Sequence, residues 1–160
     1  MTKKTYYGVS RATRRRRLNK LADLLLADAC NKHGVKFDME CWGFVGDPKD
    51  PVSCGTQCCA LGLAALSGAF ARAGLNAKIK QNFVSFTFNG RTQHNAFLAG
   101  AKTFGISVGE AEHLFSPNTY PEFMSPLDDF TCPDPGSVRP GEGAEAERVV
   151  AERVRKMAKL

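Results

Sequence analysis

The residues best suited to chemistry are a cysteine cluster in the middle of the chain and a histidine further along. Cys54, Cys58 and Cys59 lie in the segment CGTQCC, where a loop leads into an apolar stretch. The dipole at a helix N-terminus can lower the pKa of a cysteine placed there, and the thiolate is the nucleophile of cysteine hydrolases. His94 would be the base, with Asn95 or Asp128 to orient it. The pattern predicts, as one alternative, a cysteine-dependent hydrolase using Cys54 and His94; otherwise the cysteines are core residues.

A second use of the same residue types is metal binding. Cys30 and His33 have ligand-like spacing, and Cys54 and Cys58 would lie one helical turn apart. Structural zinc sites usually contain two pairs of closely spaced cysteines, and the sequence has no such arrangement. We therefore expect no cofactor, and zinc is the one metal that these weak candidate ligands could hold.

Positive charge is concentrated at one end of the chain. The net charge is +6, and the first forty residues alone carry that excess, whereas residues 111–160 are acidic by three charges. The densest cluster comprises Arg11, Arg14, Arg15, Arg16, Arg17 and Lys20. Such a cluster can neutralise nucleic-acid phosphates, and the alternative is a solvated helical turn. Nucleic-acid binding through Arg14–Arg17 is therefore a further functional alternative.

Composition excludes several classes of protein. The 160 residues are 43% hydrophobic and 24% charged, which is typical of one globular domain and not of a disordered chain. The longest apolar run, Cys58 to Leu66, is far too short to span a bilayer, so we expect no membrane partner. The first seventeen residues contain no apolar stretch typical of a secretory signal, so we expect a cytoplasmic protein with reduced thiols. Nucleotide-binding and metalloprotease motifs are absent from the sequence.

Hydrophobic periodicity predicts helices in the first half of the chain. A helix is expected over residues 14–33, capped by Thr13 and ending before Gly34. A short helical turn is expected around Phe37 to Trp42. A helix over residues 54–73 is apolar on most faces, so we expect it to be buried at the centre of the domain.

The second half of the chain predicts a small sheet and more helices. A hairpin of residues 77–80 and 83–88 continues through Asn89-Gly90 into a short third strand. Helices are expected over residues 95–104 and after Ser107, whose capping-box partner is Glu110. The chain should therefore have an α+β fold, mostly helical with a small antiparallel hairpin. The expected segments are a basic N-terminal segment (1–13), a globular domain (14–124), a Pro/Gly-rich arm (125–141) and an amphipathic C-terminal helix (142–160).

Three blocks of sequence occur in order across the domain. They read FDMxxW from Phe37, CGTxxCAxG from Cys54 and FGISxxEAExLF from Phe104. This layout resembles that of small uncharacterised proteins of bacteria and their phages. The resemblance implies a compact accessory protein of the kind that phages encode, and it implies no particular activity.

These observations favour a non-enzymatic function, although the sequence does not decide whether the protein is an enzyme. The expected function is that of a phage-type accessory protein that binds a host protein or nucleoprotein complex, as an inhibitor, an anti-defence factor or an assembly component. The protein would then act in the host cytosol. Nucleic acid is a further candidate partner, and the C-terminal helix is a candidate surface for a homo-oligomer.

Overall fold

The computed structural model describes residues 5–27, 36–49, 56–123 and 141–160. Within these ranges the fold is α+β, as the sequence predicts, with five α-helices and a three-stranded antiparallel sheet. Four predicted site residues, Cys30, His33, Cys54 and Asp128, lie outside the described ranges. The predicted arm also lies outside them except for Gly141.

Helix α1 spans Arg11–Leu26. The prediction of Thr13 as its cap is wrong: the side chain of Ser10 accepts a hydrogen bond from the backbone N–H of Thr13, so the helix begins one turn earlier. The predicted end at His33 is also wrong, since Ala27 is the C-cap. The apolar stripe is confirmed, because the buried side chains follow the helical period; they are Leu18, Leu21, Ala22 and Leu25.

Residues 36–38 are extended rather than helical. Strand β1 (Lys36–Phe37) pairs in parallel with β2 (Gln57–Cys58), which contradicts the short helical turn predicted around Phe37 to Trp42. The backbone N–H of Asp38 donates to the carbonyl oxygen of Cys58 at 3.0 Å. Pairing between strands therefore positions the apolar side chains of this segment. Hydrophobic periodicity within so short a segment does not reveal such pairing.

The predicted central helix is much shorter than expected. Helix α2 spans only Ala60–Leu66, with Cys59 as its N-cap, and a 3₁₀ turn follows at Ala71–Ala73. Ser67 ends the helix, and Gly68 then adopts a left-handed conformation with φ of 67°. The expectation of burial holds for the seven helical residues, all of which are buried.

The antiparallel sheet matches the prediction closely. Strands β3 (Leu75–Lys80), β4 (Phe83–Phe88) and β5 (Arg91–Gln93) are joined by two-residue turns. Asn89 and Gly90 both have positive φ, as a tight hairpin turn of this type requires. One face of the sheet packs on α2 and on α3 (Ala96–Phe104), and the other face is exposed.

The two helices after the sheet also confirm the prediction. Helix α3 is capped by Asn95, and α4 (Val108–Phe115) begins at a capping box in which Ser107 and Glu110 bond reciprocally. Gly105 links them in a left-handed conformation, and a Cβ atom there would collide with Val9.

Helix α5 (Gly143–Lys159) matches the predicted C-terminal helix and packs along α1. Its apolar stripe, which includes Val150 and Val154, is buried within this chain. Arg155 reaches Asp23 of α1 at 3.0 Å. No helix in the described ranges is long and apolar enough to cross a membrane.

Candidate functional site

The consecutive arginines of α1 separate into two groups with different surroundings. Arg14 forms an ion pair with Glu110 of α4 at 3.5 Å, and only 14% of its side chain is exposed. Arg17 donates a hydrogen bond of 2.6 Å to the carbonyl oxygen of Thr103, and burial, assisted by neighbouring Arg16, lowers the pKa of its guanidinium. Both side chains therefore hold α1 against the α3–α4 pair.

The other cations of the run face solvent. Arg11, Arg15 and Arg16 are exposed, and with Lys20 they line one side of a groove of about 990 Å³. The helix geometry accounts for this separation, because successive residues lie about 100° apart around the axis. The far side of the groove is formed by the end of α5, including Lys159.

The groove carries a strong excess of positive charge. Among the described residues, five cations line it, and the one acidic residue there, Asp23, forms an ion pair with Arg155. A smaller depression of about 320 Å³ adjoins the groove, shares Arg16 and Lys20 with it, and adds Arg72. We call the solvent-facing cations of both depressions the basic surface: Arg11, Arg15, Arg16, Lys20, Arg72 and Lys159.

Two members of the basic surface were not predicted. Arg72 lies in the 3₁₀ turn and Lys159 in the last turn of α5, so both are far from the arginine run in sequence. No local pattern marks either residue, since tertiary packing alone brings them beside α1. Lys20 is partly engaged, because its ammonium donates to the carbonyl oxygen of Ala69 at 2.7 Å and lies 5.4 Å from the ring of Phe70.

The described cysteines of the central segment are poor nucleophiles. Cys58 and Cys59 are fully buried, and burial raises the pKa of the Cys59 thiol to about 12. The Cys59 sulfur accepts a hydrogen bond from the backbone N–H of Gly62, so its position at the start of α2 serves as a cap. Cys41 is half-buried, and burial together with nearby Asp38 raises its pKa as well. Cys54, the predicted nucleophile, lies outside the described ranges.

His94 is exposed just after β5, at the rim of a depression that also includes Trp42 and Phe97. The side chain of Asn95, one predicted orienting group, caps α3 by accepting from the N–H of Leu98 at 3.2 Å. This bond gives Asn95 a structural role. Within the described ranges, no acidic residue lines this depression beside His94.

The weak metal candidates are not brought together by the described part of the chain. Cys30, His33 and Cys54 lie outside it, and Cys58 is enclosed in the core. Among the described residues, no group of three histidine, cysteine or acidic side chains could hold a metal ion.

The sequence blocks have a structural role where they are described. The backbone N–H of Cys59 donates to the carbonyl oxygen of Cys41 at 2.6 Å, which joins the first block to the second. A Cβ atom on Gly62 would overlap the carbonyl group of Trp42, so only glycine permits this approach. In the third block, the rings of Phe104 and Phe115 pack at 5.8 Å. These contacts pack the described parts of the three blocks into the fold.

No family model matches the chain, and no curated protein or solved structure shows significant similarity to it.

Proposed function

We propose that the protein is a binding protein that engages nucleic acid, free or within a nucleoprotein complex, through the basic surface. The observation that carries the proposal is the separation of the arginine run. Arg14 and Arg17 have partners within the chain, whereas Arg11, Arg15 and Arg16 line an open groove. Within the part of the chain that the structure describes, five cations surround the groove and its one carboxylate is already paired, which favours a polyanionic ligand.

The mode of binding that this surface supports is contact with the phosphate backbone. Arginine guanidinium groups donate paired hydrogen bonds to phosphate oxygens, and such contacts are independent of base sequence. The groove is open along α1, so it can accept a continuous strand rather than a single small anion. Binding of this kind releases counterions and weakens linearly on a logarithmic salt scale.

The experiment compares two double variants that remove the same charge. Arg15→Ala/Arg16→Ala removes two cations of the basic surface, and Arg91→Ala/Arg148→Ala removes two exposed cations elsewhere. Fluorescence anisotropy of a labelled duplex of arbitrary sequence gives the affinity between 50 and 200 mM KCl (roughly the range over which phosphate contacts respond strongly to salt).

The first variant should bind more weakly and should show a salt slope less steep by about 2, one unit for each phosphate that the variant no longer neutralises. The control variant should have nearly the wild-type salt slope. The lower net charge alone should change that slope by much less than about 2. Equal slopes for both variants would show that Arg15 and Arg16 do not contact phosphate and would overturn the proposal. If the wild-type protein bound no duplex and no single strand, an acidic host protein would become the favoured partner of this surface.

A further inference from the structure

The outer face of the sheet has an unusual combination of exposed aromatic and basic side chains. Phe83 begins β4 and is 65% exposed, which makes it one of the most exposed apolar side chains in the described ranges. Its ring lies 5.6 Å from that of Phe44, at 75°, and Phe44 is itself 37% exposed. We call Phe44 and Phe83 the aromatic platform.

The platform is held rigidly by backbone hydrogen bonds. Phe44 exchanges two bonds with Gln57, at 2.7 and 2.8 Å. On its other side, the N–H of Val84 donates to the carbonyl oxygen of Gly43 at 2.9 Å. The N–H of Val45 donates to the carbonyl oxygen of Asn82 at 2.7 Å. Because the main chain is paired on both sides, the backbone that carries both rings has little conformational entropy left to lose on binding.

Lysines accompany the platform on the same face of the sheet. Lys80 is the register partner of Phe83, and Lys78 is two residues earlier on β3, so both point outward with it. Both lysines are exposed. Residues 51–109, which include the whole sheet, contain no Asp or Glu. The nearest acidic residue along the chain from Phe44 is Asp47, whose carboxylate accepts from the N–H of Lys49 at 2.8 Å.

We propose that this face binds single-stranded nucleic acid, with unpaired bases stacked on Phe83 and Phe44 and the backbone beside Lys78 and Lys80. The proposal rests on the proposed function and adds the class of ligand, strands whose bases are accessible. Aromatic rings beside a positively charged groove are the usual means by which proteins bind single strands without sequence preference.

Charge also argues against a second copy of the chain as the occupant. A symmetric dimer through this face would place the same patch on both sides of the interface. Lys78 and Lys80 would then lie on both sides of the interface, and like charges facing each other are unfavourable. A strand of phosphates supplies the opposite charge.

The test uses the full chain and three substitutions at Phe83. Because this side chain is exposed, all three variants should fold. Phe83→Ala removes the ring, Phe83→Leu keeps apolar surface without a π-face, and Phe83→Trp keeps the π-face. The probes are a labelled oligothymidine strand and a blunt duplex of the same length, and Leu26→Ala is a control for removal of an exposed apolar side chain.

Phe83→Ala should bind oligothymidine about 5- to 100-fold more weakly, because stacking of one base contributes on that scale. Duplex binding should stay unchanged, since paired bases do not reach the platform. Phe83→Trp should restore single-strand binding, whereas Phe83→Leu should not. Lys78→Ala/Lys80→Ala should weaken single-strand binding and reduce its salt slope.

Three outcomes would overturn the proposal. Unchanged oligothymidine binding by Phe83→Ala would exclude stacking, and if Arg15→Ala/Arg16→Ala still weakened duplex binding, the proposed function would stand alone. Full oligothymidine binding by Phe83→Leu would show that apolar surface at this position, and not a stacked aromatic ring, holds the strand. A concentration-dependent dimer in sedimentation that Phe83→Ala abolishes would assign the face to a second copy.

Discussion

The guanidinium of Arg17 donates a hydrogen bond of 2.6 Å to the backbone carbonyl oxygen of Thr103, in the last turn of α3. The carbonyl groups of a last helical turn lack partners within the helix and carry the negative end of its dipole. Arg17 therefore satisfies one of these groups and joins α1 to α3 at the same time. Its neighbour Arg16 is exposed in the groove, so adjacent arginines have different surroundings.

This hydrogen bond predicts that Arg17→Ala destabilises the fold, whereas Arg16→Ala does not. Removal of a hydrogen bond from a charged donor costs about 1.5–3 kcal/mol, and Arg16→Ala should change the free energy of unfolding by less than about 0.5 kcal/mol. Urea denaturation followed by circular dichroism measures both values. Equal stability of the two variants would show that the bond to Thr103 contributes nothing to the fold.

A pair of glycine substitutions in helices should change stability in opposite directions. At Gly62 in α2 a methyl group would overlap the carbonyl group of Trp42. Neither the helix backbone nor the backbone of Trp42 can move away easily, because both are packed. At Gly109 in α4 nothing lies within 4 Å of the added atom. Gly62→Ala should therefore destabilise by at least about 2 kcal/mol, whereas Gly109→Ala should stabilise by about 0.5–1 kcal/mol.

Thermal unfolding of the two glycine variants beside the wild-type protein measures these shifts. A Gly62→Ala protein as stable as the wild type would contradict the close approach of α2 to the segment that contains Trp42.

The features that the sequence predicts well depend on residues close together in the chain. The Ser107–Glu110 capping box and the Asn89-Gly90 turn involve groups within three residues of each other, so residue type alone specifies them. The predicted helix over 54–73 is wrong in its extent because a continuous apolar stretch has no period to distinguish helix from strand and turn. Its described part contains all three.

The candidate site could be predicted only in part for a related reason. The arginine run shows where charge is concentrated, but the roles of Arg14 and Arg15 differ because Glu110 lies beside one of them. That neighbour is 96 residues away in sequence. Arg72 and Lys159 join the basic surface through packing of the 3₁₀ turn and α5 beside α1. The aromatic platform likewise depends on a bridge between Phe44 and Phe83, which no local pattern reveals.

The buried thiol of Cys59 predicts that the protein loses stability in alkaline solution. Burial raises the pKa of this thiol from an ordinary value of 9.0 to about 12 in the folded chain. Below pH 9 the thiol is protonated in both states and stability is independent of its titration. Between pH 9 and 12 the unfolded chain loses this proton and the folded chain keeps it, so the free energy of unfolding falls by about 1.4 kcal/mol per pH unit.

Cys59→Ser retains an acceptor for the N–H of Gly62 but does not titrate, so it should remove this alkaline contribution. Urea denaturation at about pH 7.5, 9 and 10, a range that spans the pKa of the unfolded thiol, compares the two proteins. Contributions from Tyr120 and Cys41 are common to both and cancel in the difference. Parallel pH profiles for wild type and variant would show that burial does not hold the Cys59 thiol protonated.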